Sequence, residues 1–312
     1  MTSDRDAIAA AARCLKSGGL VAFPTETVYG LGADATNGTA VARLYAAKGR
    51  PSFNPLIAHV ASREAASRLA QFTADAEKLA AAFWPGPLTL VLAKAPDCPV
   101  ADLALAGLDS VAVRMPQHPI ARALLAEFAG PIVAPSANRS GHVSPTSAQH
   151  VLADLRGRID MVIDGGPCPV GVESTIVACL DRPALLRPGG LPRAEIQRVV
   201  GHPLTDAAKA DEAPRAPGML RSHYAPRAKL RLDANGARAG EALLAFGPNP
   251  PAADTMLNLS QRGDLVEAAA NLFSHLRALD ASGAAAIAVM KVPREGLGEA
   301  INDRLARAAA PR

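Results

Sequence analysis

Leu20-Val21-Ala22-Phe23-Pro24-Thr25-Glu26-Thr27-Val28-Tyr29-Gly30-Leu31-Gly32 is the stretch that decides how the chain folds. Four apolar residues make a short buried strand, and Pro24 stops it because proline has no amide hydrogen to donate. Two threonines, a glutamate and a tyrosine then crowd in ahead of two glycines. Val28 lies three residues after Thr25 where a capping box would need an acid, so the hydroxyls are read as free ligand groups. The competing account is a strand-to-helix turn whose hydroxyls are satisfied locally.

Working outward, Asp4 to Lys16 reads as an amphipathic helix with Ile8, Ala11, Ala12 and Leu15 at helical spacing, ended by Gly18-Gly19. On the other side, a helix over Ala40 to Lys48 delivers Lys48 and Arg50 to the same mouth. They belong to Lys48-Gly49-Arg50-Pro51-Ser52-Phe53-Asn54-Pro55-Leu56, where one glycine and two prolines forbid a continuing helix. Lys48 is a compact charge suited to a phosphate, and Arg50 offers a planar fork to phosphate or carboxylate oxygens. Leu56 to Val60 is a strand, so His59 projects from it or from its end; a solvated basic turn before an edge strand is the plainer alternative.

Glu64 to Ala82 reads as one helix, and Pro85-Gly86-Pro87 forces a sharp turn before a strand from Leu88 to Leu92. Ser110 to Pro116 alternates as a strand and ends on Arg114, a position suited to a carboxylate clamp. Between Gly130 and Thr146, a strand Pro131-Ile132-Val133 leads into Ala134-Pro135-Ser136-Ala137-Asn138-Arg139-Ser140-Gly141 and then Ser144-Pro145-Thr146. Small residues there let a ligand approach the backbone, and hydroxyls and amides give short neutral contacts. Thr146 is also a candidate N-cap for a helix beginning near Gln149. Met161-Val162-Ile163 and the Val172 to Val177 stretch add strands, and Arg187 follows the apolar Ala184-Leu185-Leu186 as a third candidate phosphate contact.

With 312 residues the chain has room for two domains, and a net charge of +4 tolerates an anionic ligand without demanding nucleic acid. Cys14, Cys98, Cys168 and Cys179 form no C-x-x-C pair and no zinc spacing, which points to reduced thiols in the cytoplasm. No secretory signal is read at the N-terminus, and no apolar run reaches the ~18–20 residues of a membrane span. There is no P-loop, no dinucleotide fingerprint and no hydrolase elbow. The inventory is cations, hydroxyls and amides, with Glu26 and Glu173 the acids among them and no metal site: a set for binding a nucleotide and a zwitterion.

Composition changes after His202. Leu204 to Pro217 reads as a linker, although Pro217-Gly218-Met219-Leu220-Arg221-Ser222-His223-Tyr224-Ala225-Pro226 is too apolar for a free tether. Beyond Lys229 come a strand Glu241 to Phe246, a helix Asp264 to Leu279, a strand Ala285 to Val292 and a helix Leu297 to Ala309. That order implies a small parallel, Rossmann-like sheet.

Pro24 to Gly32, Lys48-Gly49-Arg50 with Pro55-Leu56, Pro85 to Thr89, Ser136 to Gly141 and Glu173-Ser174-Thr175-Ile176 together resemble the YrdC/Sua5 family, the threonylcarbamoyl-AMP synthases. Pro217-Gly218-Met219, His223-Tyr224-Ala225-Pro226 and Asn302-Asp303-Arg304-Leu305 resemble its long Sua5 form. The resemblance implies an α/β protein. Residues 1–203 would be a YrdC-like twisted mixed sheet with helices around a concave site, 204–228 a linker, and 229–312 a small Rossmann-like parallel domain. It implies that L-threonine, bicarbonate or CO2 and ATP with Mg2+ give threonylcarbamoyl-adenylate and pyrophosphate. A partner transferase of the TsaD type then uses the adenylate for t6A at position 37 of tRNA, which is an indirect substrate. By motif position it places threonine near Thr27, His59, Arg114 and Ser174. ATP falls near Lys48, Arg50, Asn54, Ser110, Ala134, Ser136, Asn138, Ser144 and Arg187, with Lys48 and Arg50 carrying the catalytic charge. His223 and Tyr224 would lie over the mouth. The rival expectations are a module binding double-stranded RNA or tRNA without this chemistry, and a transferase acting on carbamoyl phosphate.

Overall fold

The computed structural model describes residues 4–206 and 224–311. Helix α1 (Asp4–Lys16) lays Ala11, Ala12 and Leu15 against Ala121, Leu124 and Leu125 of a later helix. Strands β1 (Val21–Phe23) and β2 (Gly30–Asp34) then pair antiparallel around the Pro24 turn. Helix α2 (Gly38–Lys48) is capped by Asn37, which accepts from Ala40 N, and closes on Gly49 at φ 59°, a left-handed turn that glycine adopts without strain. Strand β3 (Ile57–His59) follows.

Glu64 to Ala82 is not one helix. It divides into α3 (Arg63–Ser67), the short strand β4 (Ala70–Gln71) and α4 (Ala74–Phe83). Thr73 caps α4 by accepting from Ala76 N, while Ala70 and Gln71 pair with the edge of β5 (Leu88–Lys94). Cap and ladder together outcompete the helical tendency of an alanine-rich stretch. Next come α5 (Asp102–Leu105), β6 (Ser110–Arg114), α6 (Pro119–Phe128), β7 (Ile132–Val133), α7 (Ala148–Leu155) and β8 (Met161–Val162). Ser147, not Thr146, caps α7, accepting from His150 N. Strands β9 (Thr175–Ala178) and β10 (Ala184–Arg187), helix α8 (Arg193–Val200) and strand β11 (Thr205–Asp206) complete the first unit.

Among the described residues eleven strands form one mixed sheet in the order β11-β10-β9-β5-β6-β3-β7-β2-β1-β8, with β4 on β5. The pairs that matter most lie at its centre. β3 and β6 are parallel, matching His59 with Arg114, and β5 matches Thr89 with Arg114 on one side and with Ile176 of β9 on the other. Paired residues project to one face of a sheet, so His59, Arg114 and Thr89 line up beside the apolar patch of Ile57, Ala112, Val91 and Ile176.

The second unit holds β12 (Lys229–Arg231), β13 (Glu241–Ala245), β14 (Met256–Asn258), α9 (Leu265–Ala281), β15 (Ala286–Val289) and α10 (Gly298–Ala309). Its four strands run all parallel in the order β12-β15-β13-β14, as the strand–helix alternation anticipates, with β12 and β14 too short to be seen in the hydropathy. Leu272, Phe273 and Leu276 of α9 and Ile301 and Leu305 of α10 share one core with Val28, Val143 and Val172 of the larger unit. The backbone of Gly171 comes so close to α9 that a Cβ there would lie 2.3 Å from Ala269 O. No helix among the described residues is long and apolar enough to cross a membrane, and the four cysteines are free thiols.

Candidate functional site

The concave face of the sheet, the Pro24 turn and the Ala134–Ser136 loop enclose a chamber of about 40 Å3, with Tyr224 over it. Arg50, His59, Arg114, Ser174 and Arg187 line its walls. Such a volume is the size of one or two waters. The chamber is therefore narrow where these side chains meet.

The Thr25 hydroxyl is not a free ligand group. It donates to Val28 O at 2.7 Å, sits 2.8 Å from the Thr27 hydroxyl and accepts from Thr27 N, so the turn satisfies it locally. Thr27 is the threonine that faces the chamber. Glu26 turns inward to Arg114: Nη2 donates to its Oε1 at 2.6 Å, and Gln117 N donates to Oε2 at 3.0 Å. Burial pushes the Glu26 carboxyl up, but the Arg114 charge and these hydrogen bonds outweigh it and hold it below the usual range. Arg114 Nε donates to Gly86 O, which leaves Nη1 as the nitrogen of its fork with no acceptor among the described residues.

His59 lies beside this pair. Its Nδ1 is 3.1 Å from Ile57 O, so Nδ1 carries the proton and Nε2 is an acceptor. Burial, reinforced by the Arg114 charge, depresses its pKa to about 3. The ring is neutral at physiological pH. Because the fold favours the neutral form, its contribution to stability is complete above about pH 6.5 and is lost as pH falls toward 3. Urea unfolding at pH 5 should therefore show about 2 kcal/mol less stability from this residue than at pH 8. In His59→Gln the difference between the two pH values should shrink by that amount; an undiminished difference would contradict the assignment.

The cations come from loop ends. Lys48, at the last turn of α2, is fully enclosed, and its ammonium donates to the carbonyls of Ser136 and Asn138. It thereby ties down the 134–141 loop, and burial followed by the Arg50 charge holds its pKa well below normal. Arg50 donates through Nε to Asn54 O and through Nη2 to Pro55 O at 3.0 Å, and burial lowers its pKa to about 10. Arg187 donates to Ser174 O at 2.8 Å and to its hydroxyl at 3.3 Å; burial lowers its pKa too. Gly189 is required nearby, since a Cβ there would sit 2.4 Å from Ser174 C.

Of the other residues expected at the site, Ala134 and Ser136 line the chamber, and the buried Ser144 donates to Glu173 Oε1 at 2.5 Å. Asn54 and Asn138 are buried with Oδ1 atoms that accept no hydrogen bond among the described residues. Ser110 lies at the far end of β6 from Arg114, paired with Ala93 of β5, and does not line the chamber. Tyr224 has φ 63°, is 1% exposed, and stacks on Phe273 with centroids 5.7 Å apart. His223 lies outside the described residues. The sequence carried Thr89 and Arg304 within family motifs but gave neither a role at the site: the Thr89 hydroxyl is 2.7 Å from that of Ser174, and Arg304 pairs with Glu173 at 2.7 Å. Arg304 had a signal: it occupies the apolar stripe of α10 with Ile301, Leu305 and Ala308, where an unpaired cation would not be tolerated.

Three arginines thus converge on one chamber, with Lys48 buried behind the 134–141 loop and two acids beside them, each tied to an arginine. The arrangement can neutralise a polyanion at one end and clamp a carboxylate at the other. Among the described residues no cluster of three His, Cys, Asp or Glu could hold a metal ion.

The family model described as "Telomere recombination" (Sua5_yciO_yrdC) matches residues 13–189, and the "Threonylcarbamoyl-AMP synthase, C-terminal domain" model matches residues 191–310. The chain is 43% identical to the threonylcarbamoyl-AMP synthase of Bacillus subtilis over 98% of this chain and 93% of that protein. It is 46% identical to the enzyme of that name from Pyrococcus abyssi, over 97% and 94% respectively. The fold superposes on the crystal structure of P. abyssi Sua5 complexed with L-threonine with a TM-score of 0.89 at 44% identity, covering 97% of this chain and 94% of that one.

Proposed function

The chain belongs to the Sua5/YciO/YrdC family in the form that carries the Sua5 C-terminal domain, and from that premise we propose how its chamber makes threonylcarbamoyl-AMP. The observation that carries the reading is the parallel β3–β6 pair. It sets a neutral histidine beside an arginine with a fork able to take a carboxylate, while Ser110 lies four residues back along β6, about 13 Å away at ~3.3 Å per residue.

L-Threonine lies at the first end. Its carboxylate meets Nη1 of Arg114, its amine or hydroxyl meets Nε2 of His59, and the hydroxyls of Thr27 and Ser174 complete the contacts. ATP lies along the other half. Arg50 and Arg187 reach its phosphates, Lys48 holds the loop that bears Ser136 and Asn138 and adds its charge, and Asn54, Ser110, Ala134 and Ser144 flank the nucleotide. The threonine amine captures CO2 derived from bicarbonate as a carbamate, whose oxygen attacks the α-phosphorus while the bond to the pyrophosphate oxygen breaks. Threonylcarbamoyl-AMP, pyrophosphate and the water from bicarbonate balance the reaction. The protein supplies no nucleophile: positioning and charge neutralisation lower the barrier.

Mg2+ arrives with the triphosphate, which is its usual mode of binding. The neutral carbonyl oxygens of Asn54 and Asn138 would fit as acceptors for its bound waters or for nucleotide donors, and Mg2+ when bound would supply further positive charge to the phosphates. The proposed setting is the cytoplasm, with a TsaD-type transferase taking the adenylate to tRNA. Thr205–Asp206 already pair with the first sheet, so the proposed domain 1–203 extends to 206 and the linker proposed over 204–228 is shorter by those residues; Tyr224 with His223 is the proposed lid. The arginines line a narrow chamber and do not spread over an exposed basic face, which suits a nucleotide better than a strand of RNA.

The test is pyrophosphate release from ATP and Mg2+ by the purified protein, omitting threonine and bicarbonate in turn. Release is expected only with both present. Release needing neither would leave a general ATPase, and no release alongside tight RNA binding would favour a binding module.

A further inference from the structure

Three parts of the chain meet at one guanidinium. Arg304 of α10 is 0% exposed; its Nε donates to Glu173 Oε2 at 2.7 Å and its Nη2 to Pro188 O at 3.0 Å. The ring of Tyr224 lies 5.0 Å from its central carbon, and Asp303 pairs with Nη1. Each contact adjoins the chamber: Glu173 precedes Ser174, Pro188 follows Arg187, and Tyr224 covers the space. The other oxygen of Glu173 takes the Ser144 hydroxyl.

We propose that Arg304 is a positioning residue for the synthase reaction, lent by the second domain: by pairing with Glu173 it keeps that carboxylate from drawing Arg187 out of the nucleotide site. The inference rests on the function proposed above. Glu173 and Arg187 already lie within electrostatic reach of each other. A buried carboxylate deprived of its partner must find another cation or give up its charge. Arg187 is the other cation whose charge already reaches Glu173, now held on Ser174 O. Were it to swing to Glu173, its charge would be spent before the triphosphate arrived, and the Ser174 backbone would lose its donor. The second domain in this view does more than cover the first: one of its side chains sets the charge state of the nucleotide end.

The experiment compares wild type, Arg304→Gln and the double variant Glu173→Gln/Arg304→Gln by calorimetric titration with a non-hydrolysable ATP analogue and, separately, with L-threonine. Arg304→Gln should weaken the analogue about tenfold, the size of one misdirected charge-assisted contact, with threonine affinity changed less than about threefold. The double variant removes both charges and should regain most of the lost affinity. A single variant that binds both ligands like wild type, or loses both alike, overturns the proposal, as does a double variant no better than the single. Should Arg304→Gln not fold, Arg304→Lys carries the test. It keeps the charge that Glu173 needs, so analogue affinity should stay within about threefold of wild type; a tenfold loss with threonine binding intact overturns the idea. A wild-type protein that binds the analogue yet releases no pyrophosphate strikes the synthase reading alone, and the Arg304 proposal is then decided by binding.

Discussion

Replacing Arg114 with methionine is expected to remove threonine-dependent turnover and to destabilise the protein by about 3–5 kcal/mol. Arg114 and Glu26 are an enclosed pair, with side chains 5% and 7% exposed, so losing the arginine strands a carboxylate that nothing else neutralises. Gln117 N would still donate to it, which is too little for a buried charge. Two effects are thus combined in one substitution, and they can be separated. Adding Glu26→Gln to Arg114→Met removes the stranded charge and should recover most of the stability, because replacing both members of a buried pair is commonly tolerated. It should recover none of the threonine affinity, since Nη1 is the proposed partner of the carboxylate. Urea unfolding and threonine titration of the two variants give the answer. Restored threonine binding in the double variant would remove Arg114 from the proposed clamp.

Lys48→Met is the second large effect. Methionine keeps most of the stem but not the ammonium that holds the Ser136 and Asn138 carbonyls. Each buried carbonyl left without a donor costs about 1–3 kcal/mol, and the loop they anchor carries the candidate nucleotide contacts. The kcat/KM for ATP should fall on the order of 100-fold, the scale seen when one preorganised donor is lost at a site of developing charge. Threonine affinity should move far less, because β3 and β6 do not depend on that loop for their pairing. Steady-state kinetics with each substrate varied in turn decides it. An ATP response within about twofold of wild type would show that Lys48 is a fastener only.

Much of this arrangement is legible along the chain because local rules act alone there. Gly49 ends a helix and so brings Lys48 and Arg50 together, and the parallel order of the small sheet follows from its strand–helix alternation. The misreadings occur where two local solutions compete or where the deciding partner is distant. Thr146 and Ser147 are both able caps, and Ser147 wins while Thr146 accompanies the His150 ring. Glu64 to Ala82 has no glycine or proline to break it, yet Thr73 caps a new helix and the edge of β5 recruits Ala70 and Gln71. Thr25 spends its hydroxyl on Val28 O, three residues on, through a turn geometry that spacing alone does not specify. Glu26 and Glu173 stood out as acids among ligand groups, but their arginines are 88 and 131 residues away. Only the folded sheet and the docked second domain bring those charges together.

That separation has a consequence in time. A ribosome adds ~5–20 residues per second, so the codon for Arg304 is read roughly 7–26 s after that for Glu173. Throughout that interval the eleven-stranded sheet can be assembling while Glu173 lacks the cation it will keep. The nascent first domain is therefore electrostatically different from the finished one, and its nucleotide end reaches its final charge only when α10 emerges and docks.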